Sequence, residues 1–435
     1  MRRRVRGLRE ALVGLALLVG GTAPAASQVP TTMPRLLGWA EGGSALARGV
    51  DAVALNPAAL GLSGNPRAAW TVAGASVEAG LSPVSLADMA DYRSTAAPAE
   101  VREAWLQAIE AEGAQEGRVG GDLSLFALSI GPVALQLTTS SSAATYLDGP
   151  ASELLLFGNS GRTGEVRELE PVGAFLDAFT WSTVAVAYGF RIPVDPRLLR
   201  PGERLSVGIG GSFTVGHDVL MVRDAGSRSV PGSTDVALPA LESSSAAGFL
   251  DGGQGFGVDV GLAWESGPLV VSAAGRNVVN TFQWDTAGVA YRPNRILLDG
   301  SSGEARFDED AVARAPDALV ALLEEQAFQP EIVAGVGYRI REDLTVAVDG
   351  RTRFGEADIR GTPDLLVGAS AEMGVGWSVV RTVRYGAAYV TGGFQAGGGV
   401  GLGVGPLNLQ AGALYRSADG IASTHASLAL ALGGG

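Results

Sequence analysis

The sequence predicts an all-β fold, a transmembrane antiparallel up-and-down β-barrel of about 14 strands. Three observations support this prediction. Apolar residues alternate with small or polar residues along most of the chain, short and long connections follow one another in turn, and the chain contains no cysteine. Without disulfides the fold must be closed by hydrogen bonding and packing alone.

The alternating runs have the period of β-strands. In residues 203–216, Leu, Val, Ile and Phe share one face, while Ser, Gly and Thr share the other. A face of small residues suits the inner wall of a barrel, and an apolar face suits lipid. A soluble β protein would also alternate and remains the alternative. The predicted strands are 67–81, 121–130, 131–142, 178–191, 203–216, 254–266, 267–283, 329–341, 342–353, 363–373, 378–390, 392–404, 405–416 and 422–432.

The connections between these runs are sorted by length. Tight turns are predicted at 130–132, 265–268, 340–343 and 404–406, whereas 82–120, 143–177, 217–253 and 284–328 are long. Short turns at one end and long loops at the other are typical of outer-membrane barrels. We therefore expect the outer membrane of a diderm bacterium, with both termini in the periplasm and the long loops on the cell surface.

Two of the long loops contain helix signals. Residues 98–113 begin near a proline, place apolar residues at helical spacing and end at a glycine; residues 316–328 show a similar pattern. These short helices could act as lids over a ligand entrance or could only cap the barrel mouth, and the sequence leaves both interpretations open.

The N-terminus predicts export. Four arginines precede a short apolar run and a small-residue cleavage site, so residues 1–27 are expected to be a signal peptide. A membrane anchor is the alternative. Cleavage would remove five Arg and one Glu and change the net charge from −13 to −17. Such an acidic chain is a poor binder of nucleic acid.

Few residues indicate a metal-binding or catalytic site. The two histidines are far apart in sequence and have no partner at ligand spacing, so no metal site is expected. The G-x-S-x-G pattern of a nucleophile elbow is absent. We predict no catalytic residue and no cofactor, and an enzyme is the least expected class.

Charged residues interrupt several of the alternating runs. An Arg on the lipid face near the membrane centre would cost about 2–4 kcal/mol, so these residues should point into the lumen and pair with each other. They could form a structural network or a constriction that selects permeants. By the same alternation, Val260 should face lipid and not tolerate Arg, while Gly261 should tolerate Ser. The predicted lumen-facing residues are Asp259, Arg339, Asp349, Arg351 and Glu372.

Three motifs suggest a family. The first is Asn56-Pro57-Ala58, followed by Ala59-Leu60. The second lies in residues 329–354, which contain a strand from a proline to a tyrosine, a tight turn and a second strand ending at Asp349. The third is an Arg-Asn pair within residues 269–280. Together they resemble the FadL/TodX-like outer-membrane transporters of hydrophobic compounds and, through the third motif, the related PorV/PorQ-like barrels. The resemblance covers about residues 36–435. The last residues are three glycines, not the aromatic residue usual in such barrels.

The resemblance implies that residues 28–66 form a plug, or hatch, inside the barrel of residues 67–435. This segment is apolar and is broken by Pro30, Pro34 and Pro57, and the residue before a proline avoids the helical region. We expect Asn56-Pro57 at its innermost point; an ordinary linker is the alternative.

Two functions are implied. A FadL-like barrel would pass hydrophobic small molecules, fatty-acid-like or aromatic, across the outer membrane. A PorV-like barrel would transport nothing and would serve as a subunit of a secretion or surface-assembly system, with protein partners. A continuous apolar pocket in the lumen would favour the first, and a lumen packed with charge the second.

Overall fold

The computed structural model describes residues 30, 33–92, 95–158, 162–164, 168–194, 202–244, 248, 250–299, 302–355, 363–377 and 379–432. The predicted signal peptide, residues 1–27, lies outside the described residues and stays a prediction.

Within these residues, fourteen strands form a closed barrel, because each strand pairs antiparallel with the next and the last pairs with the first. This confirms the predicted fold class. The strands are β1 (Ala68–Ser82), β2 (Ala114–Ile130), β3 (Val133–Asp148), β4 (Phe175–Arg191), β5 (Arg204–Arg223), β6 (Gly253–Ser266), β7 (Leu269–Asn280), β8 (Glu331–Arg341), β9 (Leu344–Arg353), β10 (Leu365–Gly374), β11 (Val380–Val390), β12 (Gly393–Val404), β13 (Leu407–Ala418) and β14 (Ile421–Leu432).

Three strands extend well beyond the predicted boundary at the long-loop end. β2 begins at Ala114 where 121 was predicted, β3 ends at Asp148 where 142 was predicted, and β5 ends at Arg223 where 216 was predicted. The ladder between β2 and β3 continues without a break from Gly121 to Ala114. Backbone pairing needs no apolar alternation, so the sequence pattern stops before the strand does.

The helices are short. They are α1 (Pro34–Gly38), α2 (Asp51–Leu55), α3 (Leu86–Ala90), α4 (Ala99–Glu112), α5 (Gly149–Phe157) and α6 (Asp317–Glu325), with 3₁₀ turns at Pro57–Gly61, Thr286–Gly288 and Val312–Arg314. α4 and α6 confirm the two helices predicted in the long loops. Across the described ranges, every helix is too short or too polar to span a bilayer.

The outer face of the barrel is apolar. On β4, for example, Val184, Val186 and Tyr188 are exposed, while Ala185 and Ala187 between them are buried. Comparable exposed side chains lie on the other strands, including Ile209, Val260, Val336, Val348, Val367, Val400, Leu409 and Leu428. A closed barrel with an apolar exterior is an outer-membrane structure, so the predicted location in the outer membrane of a diderm bacterium is confirmed.

The long loops add structure above the barrel. Short strands at Arg228–Val230, Ser233–Ala237, Arg295–Asp299 and Ser302–Arg306 form a separate sheet, and others at Ala240–Ser243, Gln283–Trp284, Val289–Arg292 and Asp310–Ala311 extend the barrel sheet. Beneath them lies an apolar group that we call the mouth cluster: Phe179, Trp181, Val219, Met221, Leu241, Phe282, Trp284, Val289, Leu319, Leu323 and Phe328. Exposure of these loops at the cell surface stays a prediction.

Val260 tests the lipid-facing surface. Its side chain is 43% exposed on β6. Val260→Arg should destabilise the inserted barrel by about 2–4 kcal/mol, because the outer face near the membrane centre excludes charge. Urea unfolding in lipid vesicles measures the effect. Leu250→Arg, at a loop position that is 66% exposed, is the matched control and should be neutral; equal effects of both substitutions would contradict the membrane-spanning assignment.

Candidate functional site

The N-terminal segment, which we define as residues 33–66, lies inside the barrel. Leu36, Leu37, Ala52 and Ala58 are fully buried. α1 contacts β12 and β13, α2 contacts β3 and β4, and the 3₁₀ turn at Pro57–Gly61 contacts β4, β5 and β6. The segment therefore reaches opposite parts of the barrel wall.

Asn56 anchors one end of this segment. It is fully buried. Its Oδ1 accepts a hydrogen bond from the Ala58 backbone N–H at 2.9 Å, and its Nδ2 donates to the carbonyls of Leu262 and Ala273 at 3.2 and 3.3 Å. Asn56 is extended, as expected before Pro57, and it caps the 3₁₀ turn that Pro57 begins. The side chain thus joins the bend to β6 and β7.

Three glycines form the seat beneath this bend. A Cβ atom at Gly189 on β4, Gly208 on β5 or Gly261 on β6 would lie closer than 3.0 Å to atoms of Asn56-Pro57-Ala58. A side chain at these positions would displace the segment. The high glycine content of the lumen face therefore has a local cause, which is the close approach of a second stretch of backbone.

A second group of glycines receives α1. A Cβ at Gly386 would meet the Trp39 backbone, and one at Gly397 or Gly412 would meet the carbonyl of Leu37 or Pro34. β11, β12 and β13 therefore approach the segment as closely as β4, β5 and β6 do on the other side.

The innermost point of the segment is Ala40-Glu41, not Asn56-Pro57 as predicted. Ala40 and Glu41 both have positive φ angles, 52° and 58°. The Ala40 carbonyl accepts from Gln395 Nε2 at 2.7 Å, well along β12 from its short-turn end at Val404. Asn56 instead contacts Leu262, close to the short-turn end of β6. The bend at Asn56-Pro57 is therefore the shallower of the two.

The Glu41 carboxylate lies between two arginines at this depth. Arg416 Nη2 donates to Glu41 Oε2 at 2.8 Å, and Arg351 Nη2 donates to the same oxygen at 3.2 Å. Burial alone would raise the pKa of Glu41, but Arg416 and Arg351 outweigh it and lower the pKa to about 2. Glu41 is therefore an anion at any physiological pH.

These contacts continue across the lumen. Arg351 lies 3.7 Å from Glu331, which pairs with Arg276 at 2.8 Å. On the other side, Glu78 lies 3.9 Å from Arg416 and 3.2 Å from His425. We call this set the charged layer: Glu41, Glu78, Arg276, Glu331, Arg351, Arg416 and His425.

Three of the five predicted lumen-facing residues bind the N-terminal segment. Asp349 accepts from the backbone N–H groups of Gly43 and Ser44 at 2.8 Å each. Arg351 binds Glu41, and Glu372 lies 3.6 Å from Arg35 Nη2 and accepts from Arg384 Nε at 2.6 Å. The expected pairing of the five with each other is thus corrected, since the segment supplies a partner to three of them.

The other two lie elsewhere. Asp259 accepts from the backbone N–H of Asn277, at a bulge of β7 where the pairing with β6 shifts between Gly275 and Val279. Arg339 is exposed near the short-turn end of β8. It lies apart from the charged layer, because that layer crosses the long-loop half of the barrel, at Glu331, Arg351 and Arg416.

Sequence reasoning missed most of the charged layer. Arg416 shares a face of β13 with Asn408, Gln410 and Gly412, so the alternation on that strand could have identified it. Glu41 carries no such signal, since it lies outside the strands. Among the described residues, no cluster of His, Asp or Glu has the arrangement of a metal site.

Two cavities flank the N-terminal segment. One of about 580 Å³ opens at the short-turn end and is lined by residues that include Arg35, Arg48 and Gln410. The other, about 190 Å³, lies at the long-loop end and is lined in part by Arg118 and Arg416. On β13, Gln410 faces the first cavity and Arg416 the second, so the segment and the charged layer lie between them.

The chain matches no protein-family model and no curated protein. Its fold is similar to solved outer-membrane structures. The CymD monoaromatic hydrocarbon channel is 11% identical, with a TM-score of 0.49, over 93% of this chain and 98% of that one. The Pseudomonas putida toluene transporter TodX is 10% identical, with a TM-score of 0.47, over 94% of this chain and 98% of that one. A Pseudomonas aeruginosa FadL homologue is 12% identical, with a TM-score of 0.46, over 94% of this chain and 99% of that one. The fold expected from the FadL/TodX-like resemblance, a 14-strand barrel with an N-terminal segment inside it, is the one that the chain's own strand pairing and contacts form.

The substitution Gly261→Ser tests whether the glycine seat holds the bend of the segment in place. The sequence predicted tolerance here, but the structure corrects this, because a side chain would collide with Asn56 Oδ1. We expect loss of the buried Asn56 hydrogen bonds, at roughly 1–3 kcal/mol, and protease access to the segment in an intact barrel.

The control for this substitution is Gly211→Ser on β5, where a Cβ would have open space. Limited proteolysis and the heat-dependent gel mobility of the folded barrel measure the two effects separately. A protected segment in Gly261→Ser would contradict the seat.

Proposed function

We propose that this chain is an outer-membrane channel for hydrophobic small molecules, fatty-acid-like or aromatic, and that its N-terminal segment is a hatch. The observation that carries the proposal is the pair of cavities separated by the segment and the charged layer. The lumen has a cavity at each end, and the barrier lies between them. A shift of that barrier would join the two cavities and make the lumen continuous.

The contacts of the barrier suit such a shift. At its tip, Glu41, Ala40 and Ser44 are held by hydrogen bonds and ion pairs to side chains of the wall. Polar contacts of this kind can be exchanged for water or for a ligand, because a hydrated lumen offers the same groups other hydrogen-bond partners. The segment can therefore leave without disrupting the strand ladder.

The mouth cluster supports an apolar permeant. Phe179 and Trp181 on β4 pack with Phe282, Trp284 and Phe328 from the loop between β7 and β8. These side chains are buried against one another, so they can take a hydrophobic molecule out of water only when the loops above them move apart. Phe328 is also joined to the polar interior, since its carbonyl accepts from Asn280 Nδ2 at 3.1 Å.

A specific observation favours the second function. In the described residues the lumen at the depth of Glu41 is packed with charge, which is the feature expected of a PorV-like barrel that transports nothing and binds partners of a secretion or surface-assembly system. The sheet above the barrel also has an edge strand, Ser302–Arg306, that pairs on one side with Arg295–Asp299. Edge strands are common docking sites for other chains.

Deleting residues 28–60 separates the two functions. If the segment is a hatch, the shortened chain should still insert and should conduct ions steadily in planar bilayers, because its barrier is gone. The intact protein, at the same inserted amount, should be closed or open only briefly.

The matched control is Asn56→Ala, which keeps the whole segment but removes its contacts with Leu262 and Ala273. It should give openings of intermediate frequency. Equal conductance of the deletion variant and the intact protein would show that the segment is not the barrier and would leave the partner-binding function as the better explanation.

A further inference from the structure

A serine and a histidine lie within hydrogen-bond distance on the outer side of the barrel. Ser182 on β4 stands between Trp181 and Thr183, which are buried on the lumen side, so strand alternation turns the partly exposed Ser182 towards the membrane. Its Oγ lies 2.8 Å from His217 Nε2. The two residues are 35 positions apart in the chain, and only the fold brings them together.

A β-bulge aims the His217 ring at this serine. Two residues of β5, Gly216 and His217, stand opposite the single residue Trp181 of β4. A bulge takes a side chain out of the ordinary alternation of its strand. The bulge is fixed in place, because the Val219 N–H donates to Ser243 Oγ at 2.9 Å in a neighbouring short strand.

The surroundings of the pair suit attack on an ester. A serine hydroxyl held by a histidine nitrogen is the arrangement of an activated nucleophile. Thr139 Oγ1 lies 2.8 Å from Ser182 Oγ, and a hydroxyl at this position can donate to the oxygen that becomes negative when a carbonyl is attacked. In the next row of the outer face, Ser141 Oγ instead lies 3.1 Å from Thr180 Oγ1.

The pair lies near the upper edge of the apolar belt. Towards the short turns, β4 presents Val184 and Val186 and then the aromatic pair of Tyr188 and Phe190, which marks the lower edge. From Phe190 to Ser182 a strand rises roughly 27 Å, which at a tilt of about 40° covers roughly 20 Å of a band about 25 Å tall. The ester of a membrane amphiphile lies at this boundary, with its acyl chain in the belt below.

We propose that Ser182 and His217 form a hydrolytic site for carboxylic esters of membrane amphiphiles, at the membrane boundary nearer the long loops. Ser182 Oγ attacks the ester carbonyl carbon while its proton passes to His217 Nε2. The bond between that carbon and the alcohol oxygen breaks, and His217 returns the proton to the departing alkoxide. Water then attacks the acyl-serine, with His217 as the base, and releases the carboxylic acid and Ser182.

Covalent labelling of the full chain in detergent micelles tests the site, with an alkyl fluorophosphonate as the probe. The intact protein should be labelled at Ser182, as located by mass spectrometry, and should hydrolyse para-nitrophenyl laurate. Ser182→Ala should abolish both reactions. His217→Asn should slow both by about 100-fold or more, since a positioned general base contributes roughly 10²–10⁴-fold. Ser141→Ala removes a hydroxyl from the next row and is the matched control, which should change neither.

The heat-dependent gel mobility of each variant shows whether its barrel is folded. A hydrogen bond with only a structural role would give an intact protein that is neither labelled nor active, and this result would overturn the proposal. Labelling of Ser141 as strongly as Ser182, or unchanged rates in His217→Asn, would overturn it as well. Labelling of the intact protein needs no variant, so the test stays decisive if a substitution prevents folding. Neither readout depends on passage through the lumen.

Discussion

The close approach of the N-terminal backbone to the barrel wall is the constraint on which the rest of the structure depends. Asn56-Pro57-Ala58 rests on Gly189, Gly208 and Gly261, where a Cβ atom would leave too little room. Because the wall has no side chains at these positions, backbone atoms of the segment and one amide side chain can bind it directly. The wall and the segment are complementary in shape, independently of their ion pairs. The glycine-rich face of the strands provides the space for this fit.

Charge then fixes the depth of the segment. Glu41 can enter the lumen because Arg351 and Arg416 compensate its burial, and its carboxylate in turn supplies a close counter-charge to both arginines. The close backbone fit at the bend of Asn56 and the ion pairs of Glu41 thus hold the segment at two different depths. Under the proposed function, this arrangement would let the tip be released while the base stays seated.

The barrel could be predicted from sequence, whereas most of the site could not. Alternation along β4, β5 and β13 indicates strands and faces because the period of a strand is local. The pairing of Glu41 with Arg416 depends on residues far apart in the chain, and no local pattern encodes it. Gly261 shows the difference: the alternation placed it correctly on the inner face, but only the structure shows Asn56 against it and reverses the expected tolerance to Ser.

The position of the segment in the membrane-embedded protein can be measured by disulfide cross-linking, because the chain has no cysteine of its own. Ser44 Oγ lies 3.0 Å from Ser272 Oγ on β7, so the two side chains face each other where the segment meets the wall. Ser44→Cys with Ser272→Cys should cross-link readily in intact cells, while Ser44→Cys with Ser124→Cys should not. A folded barrel in which the first pair stays reduced under oxidant, or in which both pairs react equally, would contradict the docked segment.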